Sequence, residues 1–223
     1  MNSALKTFVV SAPSGTGKTT LNRKLLSEHP DLIEMSVSYT ARKPRPRETN
    51  GVDYNFVSNE EFEKLIASGQ MLEYANVFGS YYGTSMKEVE RIHGLNKHVL
   101  LEIDVQGWDL ARQKIPEATP IFILPPSIEE LWTRLKARAT EEESVQVRRL
   151  MTAFHEIQLG HLYSYFIIND EFDKAFHTLK SFIVDGVKPE LNHENGSKYC
   201  QKLIDEMRSS EWVQQLRDKY KLS

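Results

Sequence analysis

The chain has 223 residues, with 28 Lys+Arg against 31 Asp+Glu, a formal net charge of −3 and 40% apolar residues. That composition excludes a disordered chain, argues against a general nucleic-acid binder and, with one cysteine, excludes a disulfide scaffold or a multi-cysteine zinc site. No apolar run approaches the roughly 18 residues of a membrane span, and residues 1–7 lack a leader's charged stretch and apolar core. A cytoplasmic protein without a membrane role is expected.

In chain order, residues 7–11 are apolar and β-branched and predict a buried parallel strand. A glycine-rich turn follows, then a helix with Leu21, Leu25 and Leu26 on one face, ended by His29-Pro30. Residues 35–92 are charged and aromatic, with short strands. Ser58 with Glu61, Ser85 with Glu88 and Ser127 with Glu130 have capping-box spacing and each opens a predicted helix. Residues 99–104 read as a buried strand ending in acid, followed by a helix through Trp108 and Leu110. Residues 121–124 are a strand halted by Pro125-Pro126. A charged stretch leads into a long helix to about residue 164, a strand at 166–168 and a helix at 171–185. Strands alternating with helices predict a parallel sheet covered on both faces. Residues 188–197 read as a linker, and 197–222 as one or two appended helices whose Trp212 and Leu216 pack on the core or on another subunit.

The turn after the first strand is Ala12-Pro13-Ser14-Gly15-Thr16-Gly17-Lys18-Thr19-Thr20. It has the phosphate-loop pattern G-x-x-x-x-G-K-[ST], with alanine at the first glycine position. Gly15 and Gly17 let backbone N–H groups turn toward an anion, Lys18 reaches outer phosphates, and the Thr19 hydroxyl suits Mg²⁺. The alternative is a glycine-rich turn with a solvent lysine. The strand before and the helix after favour the phosphate loop. Next, Ser36 to Glu48 is dense in arginine and fixed by Pro44 and Pro46. Alone it would read as a solvated basic loop; beside a phosphate loop it suits a second anion site.

Downstream lie Asn50-Gly51-Val52-Asp53-Tyr54, Leu72-Glu73-Tyr74 and Tyr81-Tyr82-Gly83-Thr84. Leu101-Glu102-Ile103-Asp104-Val105-Gln106-Gly107, Phe122 to Ser127, Arg134-Leu135-Lys136-Ala137-Arg138 and Ile168-Asn169-Asp170 follow in turn. In this order the motifs resemble the guanylate kinase family, over residues 5–186. The resemblance implies an α/β fold: a P-loop NTPase-type parallel-sheet core (1–35, 96–128 and 151–186), a mixed α+β GMP-binding insertion (36–95) and a helical lid (129–150). Residues 187–223 are an extra C-terminal helical tail.

It further implies an ATP:GMP phosphotransferase, with dGMP a second substrate, Mg²⁺ as cofactor and small nucleotides as partners; a monomer and a homo-oligomer remain equally open. Residues 12–20 and Asn169 would bind ATP. Arg42, Arg45, Tyr54 and Tyr82 would hold the GMP phosphate, with Glu48 supporting the arginines. Ser38, Glu73, Gly83 and Thr84 would surround the base, Glu102 would lie near GMP, and Asp104 near both GMP and the Mg²⁺–phosphate centre. Lys18, Arg42, Arg134, Arg138 and Arg149 would stabilise transferred charge. A carboxylate such as Glu73 can accept from guanine N1–H and N2–H₂, a pattern adenine lacks. The acceptor needs no general base, because a phosphomonoester's second pKa is about 6. Ala137 and Ala139 stand where the family often has glycine, which predicts a stiffer lid. Two alternatives stand: a guanylate kinase-like peptide-binding module, and a kinase for another small phosphate acceptor.

Overall fold

The computed structural model describes residues 5–77, 79–137 and 142–221. Its elements begin β1 (Thr7–Ser11), α1 (Lys18–Glu28), β2 (Ile33–Met35), β3 (Tyr39–Thr40), β4 (Asn55–Phe56), α2 (Asn59–Ala67), β5 (Met71–Val77), β6 (Ser80–Ser85), α3 (Met86–Gly94) and β7 (His98–Leu101). They continue α4 (Val105–Ala111), β8 (Thr119–Leu124), α5 (Ile128–Lys136), α6 (Glu143–Gln158), a 3₁₀ turn (Leu159–Leu162), β9 (Tyr165–Ile168), α7 (Phe172–Asp185), β10 (Leu191–Asn192), α8 (His193–Ser209) and α9 (Glu211–Tyr220). The fold is α/β, and the chain forms two compact units. One takes the residues up to Val9 with Glu28–Thr119; the other takes Val10–Ser27 with the chain from Pro120 onward.

In the first unit β1, β7 and β2 are parallel, with Phe8 opposite Leu100 and Glu34 opposite Val99. Phe8, Val9, Val99, Leu100 and Leu101 are buried. Strands covered on both faces read as unbroken apolar runs, which is how β1 and β7, though not β2, show in the sequence. A second sheet has the order β4–β3–β6–β5. Its β5–β6 hairpin carries an irregularity between Met71 and Glu73 that sets Glu73 opposite Thr84. A bulge of this kind re-aims the side chains that follow it. Phe62 of α2 stacks on Tyr81 of β6 with centroids 5.1 Å apart.

In the second unit β8 and β9 run parallel, and β10 adds antiparallel to β9. Phe122 stacks on Tyr163 at 4.5 Å, and both are fully buried. Truncating such a ring costs about 3–5 kcal/mol.

Three local expectations are corrected. Only Ser58 and Glu61 form a reciprocal capping box among the three pairs. Ser85 accepts from Lys87 N, while the Glu88 carboxylate is drawn away to Arg91 and Val37 N. Ser127 does accept from Glu130 N, but the Glu130 carboxylate goes to Arg134. The long helix stops at Gln158 and passes into the 3₁₀ turn. Finally, the expected linker at 188–197 holds β10 and the start of α8. Asn192 caps α8 by accepting from Asn195 N. Gly196 gives no loop signal here, because it lies against Phe166 where a Cβ would overlap the ring. Two helices, α8 and α9, form the tail, and Trp212 stacks on Trp132 of α5 at 6.0 Å.

Candidate active site

The phosphate loop lies in the second unit. Gly15 and Gly17 have φ of 92° and 98°, the left-handed region that glycine adopts at no steric cost. Ala12 is not among the positive-φ residues, so alanine meets no backbone strain at the position usually held by glycine. A turn closes from Thr16 N to the Pro13 carbonyl, 3.1 Å, and α1 starts at Lys18. No acidic residue occupies the first turn of α1, so no carboxylate of that turn opposes an anion at the positive end of its dipole. Thr19 and Thr20 are exposed and Lys18 half-buried.

Asn169 is 5% exposed, and its amide donates to the Thr16 carbonyl at 2.7 Å. It therefore shapes the loop from beneath, a task the sequence did not signal. Ser14 is held twice from α6: its N–H donates to Glu156 Oε2 at 3.1 Å, and its hydroxyl accepts from Arg149 Nη1 at 3.4 Å. Sequence reasoning missed Glu156. The available signal was its spacing of seven from Arg149, two helical turns along one face. Arg134 donates to Glu130 at 2.8 Å along α5. Arg138 lies outside the described residues, as does Ala139.

Ser38, Tyr54, Glu73, Tyr82, Gly83, Glu102 and Asp104 line a cleft of about 400 Å³ in the first unit; Arg42, Arg45, Glu48 and Thr84, also expected to hold an acceptor, are not in its lining. Tyr74, Gln106 and Leu110 also line it and carried no sequence signal. Gly83 is required by close approach, since a Cβ there would collide with the Glu73 carbonyl oxygen.

At the basic end, Arg42 makes a two-pronged pair with Glu48, Nη1 to Oε2 at 2.6 Å and Nη2 to Oε1 at 2.7 Å. Its Nε donates to the Tyr82 hydroxyl at 2.9 Å, and Nη1 donates to the Lys43 carbonyl. A guanidinium has five N–H groups; one, on Nη2, makes no bond among the described residues. Because the Tyr82 oxygen accepts from Arg42, its own proton is free to point at a ligand. Tyr54 packs edge-on to Tyr82 and beneath the Arg42 charge, 5.2 Å from its ring centroid. The Arg42 hydrogen bonds pull the Glu48 pKa down to about 2, and Glu48 in turn raises that of Arg42. Arg45 is exposed; its backbone N–H donates to Glu48 at 2.7 Å.

At the acidic end, burial raises the Glu73 pKa, and the nearby Asp104 charge adds to the rise against a stabilising pull from Thr84. Thr84 is fully buried opposite Glu73. It lies near enough to favour the carboxylate charge, yet Thr84 Oγ1 makes no hydrogen bond of normal geometry. A buried hydroxyl left without a full hydrogen bond costs about 1–3 kcal/mol, which a ligand acceptor would recover. Asp104 caps α4, its Oδ1 accepting from Gly107 N at 2.7 Å. The cleft thus has carboxylates in its lining, the Arg42 fork joined to it through the Tyr82 hydroxyl, and the buried Thr84 hydroxyl on the residue paired with Glu73. It can take a molecule with an N–H-rich ring edge and an anionic tail.

A larger concavity, about 490 Å³, lies between β9, α7 and residues 187–191. It is lined by the Lys174–Asp170 ion pair and by none of the expected site residues. Chemistry, not size, identifies the cleft around Glu73.

Comparison with known proteins bears on both sites. The sequence matches the family described as guanylate kinase over residues 4–186. A guanylate kinase of Neisseria gonorrhoeae is 52% identical over 168 residues, 75% of this chain and 82% of the relative. One of Chlamydia felis is 47% identical over 179 residues, 80% of this chain and 87% of the relative. The crystal structure of guanylate kinase from Anaplasma phagocytophilum matches with a TM-score of 0.60 at 33% identity, covering 82% of this chain and 85% of that one.

Proposed function

The chain belongs to the guanylate kinase family, and from that premise we propose how its own residues carry out the reaction. It is an ATP:GMP phosphotransferase with the P-loop NTPase-type fold: the γ-phosphoryl group of ATP passes to GMP, giving ADP and GDP. Residues 12–20 bind the ATP phosphates. Lys18 and the N–H groups at the start of α1 neutralise charge on the β- and γ-phosphates. Arg42, Arg45, Tyr54 and Tyr82 hold the GMP phosphate, and Glu48 fixes the Arg42 fork. Glu73 accepts from guanine N1–H and N2–H₂, Ser38 lines the base site, and the Thr84 hydroxyl gains its missing partner there. dGMP is the second substrate expected of this site.

An oxygen of the GMP phosphate attacks the γ-phosphorus as the bond to the β–γ bridging oxygen breaks. The attacking oxygen needs no base, since its second pKa is about 6. Rate then comes from alignment and charge stabilisation, to which Arg134, Arg138 and Arg149 contribute from a lid at 129–150. In this reading residues 36–95 form the GMP-binding domain, and 1–35, 96–128 and 151–186 form the P-loop core, from which Glu102 and Asp104 reach the GMP cleft.

The donor side fits Mg²⁺. Thr19 offers an exposed hydroxyl at the start of α1, a hard oxygen donor. Among the described residues no group of three or more His, Cys, Asp or Glu could cage a metal. Thr19 would therefore share the ion with phosphate oxygens and water. When bound, Mg²⁺ supplies charge neutralisation on the transferring phosphates. Among the described residues no helix is long and apolar enough to cross a membrane.

The observation that carries the substrate reading is the Glu73 carboxylate facing an orphaned Thr84 hydroxyl across the β5–β6 hairpin. The test is ADP formation from ATP and Mg²⁺ with GMP, AMP, UMP or CMP as acceptor. Turnover with GMP alone is expected. Comparable turnover with AMP would overturn the assignment of Glu73 and Thr84.

A further inference from the structure

The phosphate loop does not stand on its own sequence. Ser14 hangs on Glu156 and Arg149 of α6. Gly15 is seated on α5, so closely that a Cβ would lie 2.9 Å from Leu135 Cδ2 and 3.3 Å from Leu131 Cδ1. The position of the loop therefore depends on two helices that contribute few groups to it directly.

Those two helices are gripped from behind by residues beyond the family match at 4–186. Glu206 of α8 reaches the first turn of α5, its Oε1 accepting from Ile128 N at 2.8 Å. The first N–H groups of a helix have no internal partner; Ser127 satisfies that of Glu130 and Glu206 that of Ile128. Trp212 of α9 stacks on Trp132 of α5. Lys219 and Tyr220 both bond the Glu143 carboxylate at the start of α6. At the other end of α6, Cys200 sits against Gly160, where a Cβ would strike its sulfur. Tyr199 donates to the Pro126 carbonyl just ahead of α5, at 2.8 Å.

We propose that residues 187–223 are a brace for the phosphate loop, with Glu206, Lys219 and Tyr220 as positioning residues that act on ATP through α5 and α6. The proposal rests on the phosphate-loop reading above and extends it to a segment outside the family match. Small displacements of positioning groups change reaction rates strongly. Glu206 acts on α5 and leaves the cleft around Glu73 untouched, so it should affect one substrate only.

The test uses the full chain, with folding verified by thermal melting, and measures KM for ATP and for GMP separately. Glu206→Ala should raise KM for ATP about fivefold and leave KM for GMP within about twofold. Glu206→Gln keeps an oxygen that can accept from Ile128 N and should restore KM for ATP. A tail that merely stabilised the fold would lower the active fraction and leave both KM values alone. An unchanged KM for ATP in folded Glu206→Ala, or equal rises for both substrates, overturns the brace. If that variant does not fold, Lys219→Ala/Tyr220→Phe, altered on the exposed face, decides by the same criterion. Lys18→Ala separates the two levels: lost turnover there beside an unmoved Glu206→Ala removes the brace alone, while near-normal turnover removes the phosphate-loop reading as well.

Discussion

Glu73 is asked to be charged where charge is disfavoured. Burial and Asp104 raise its pKa, yet a guanine edge presents N–H donors that only the ionised form accepts in full. A raised folded pKa means the protonated form is favoured by folding: the contribution to stability is present below the ordinary carboxylate value of 4.5 and lost as pH rises through the shifted one. Binding guanine reverses the preference, so the complex should release a proton in mildly acidic buffer. Calorimetric titration in buffers of different ionisation heat would detect it. Guanosine serves as ligand, because it lacks the phosphate, whose own pKa is about 6. No proton release would mean that Glu73 is already ionised or does not meet the base. Glu73→Gln replaces an acceptor with a donor against guanine N–H, and should lose about 100-fold or more in kcat/KM for GMP. KM for ATP should not move. Glu73 and Arg42 were legible in the sequence because their neighbours form a recurring pattern. Glu156 was not, because its spacing of seven from Arg149 sets the two on one helix face without saying what that face meets.

At the scale of the element, the loop from β1 to α1 shows why glycine is needed twice for different reasons. Gly15 needs its left-handed φ and the space taken by Leu135; Gly17 needs its φ and the space taken by the Asn169 amide, 2.7 Å from an ideal Cβ. Gly17→Ala would have to flatten the turn or expel Asn169 from the Thr16 carbonyl. ATP affinity should fall by about tenfold or more, through lost alignment of the loop N–H groups, while GMP affinity measured alone stays at the parent value. Equal weakening of both ligands would place the damage in the whole fold. The pattern of this element was legible, whereas its support was not: the family motif marked Asn169 as an ATP-side residue, but nothing local in the sequence says that its amide holds the Thr16 carbonyl. The capping pairs teach the same lesson. Ser58 and Glu61 could be read because both partners are local and exposed. Ser85 and Ser127 could not, because Arg91 and the distant Val37 N–H hold the Glu88 carboxylate and Arg134 holds that of Glu130.

Across the whole molecule, the least legible part is the tail, since the polar run at 188–197 hides a strand and a cap whose reasons lie on Phe166 and β9. Its apolar spacing did predict helices and an inward-facing Trp212. Cys200 makes its docking measurable. The thiol is buried, with 4% exposure, and burial pushes its pKa up to about 12. Thiolate is the reactive form, so at pH 8 very little of the buried thiol is ionised and labelling in the closed state is slow even if a reagent could enter. Labelling must therefore wait for α8 to leave α6 and the 3₁₀ turn, and its rate reports that opening. If opening also disorders the phosphate loop, ADP should slow labelling, and at 100 times its Kd the slowing should be about 100-fold. GMP held in the other unit should slow it far less. Equal protection by both nucleotides would mean that the thiol is exposed only by global unfolding. Fast labelling without nucleotide, at the rate of a small free thiol, would mean that the tail does not dock as described.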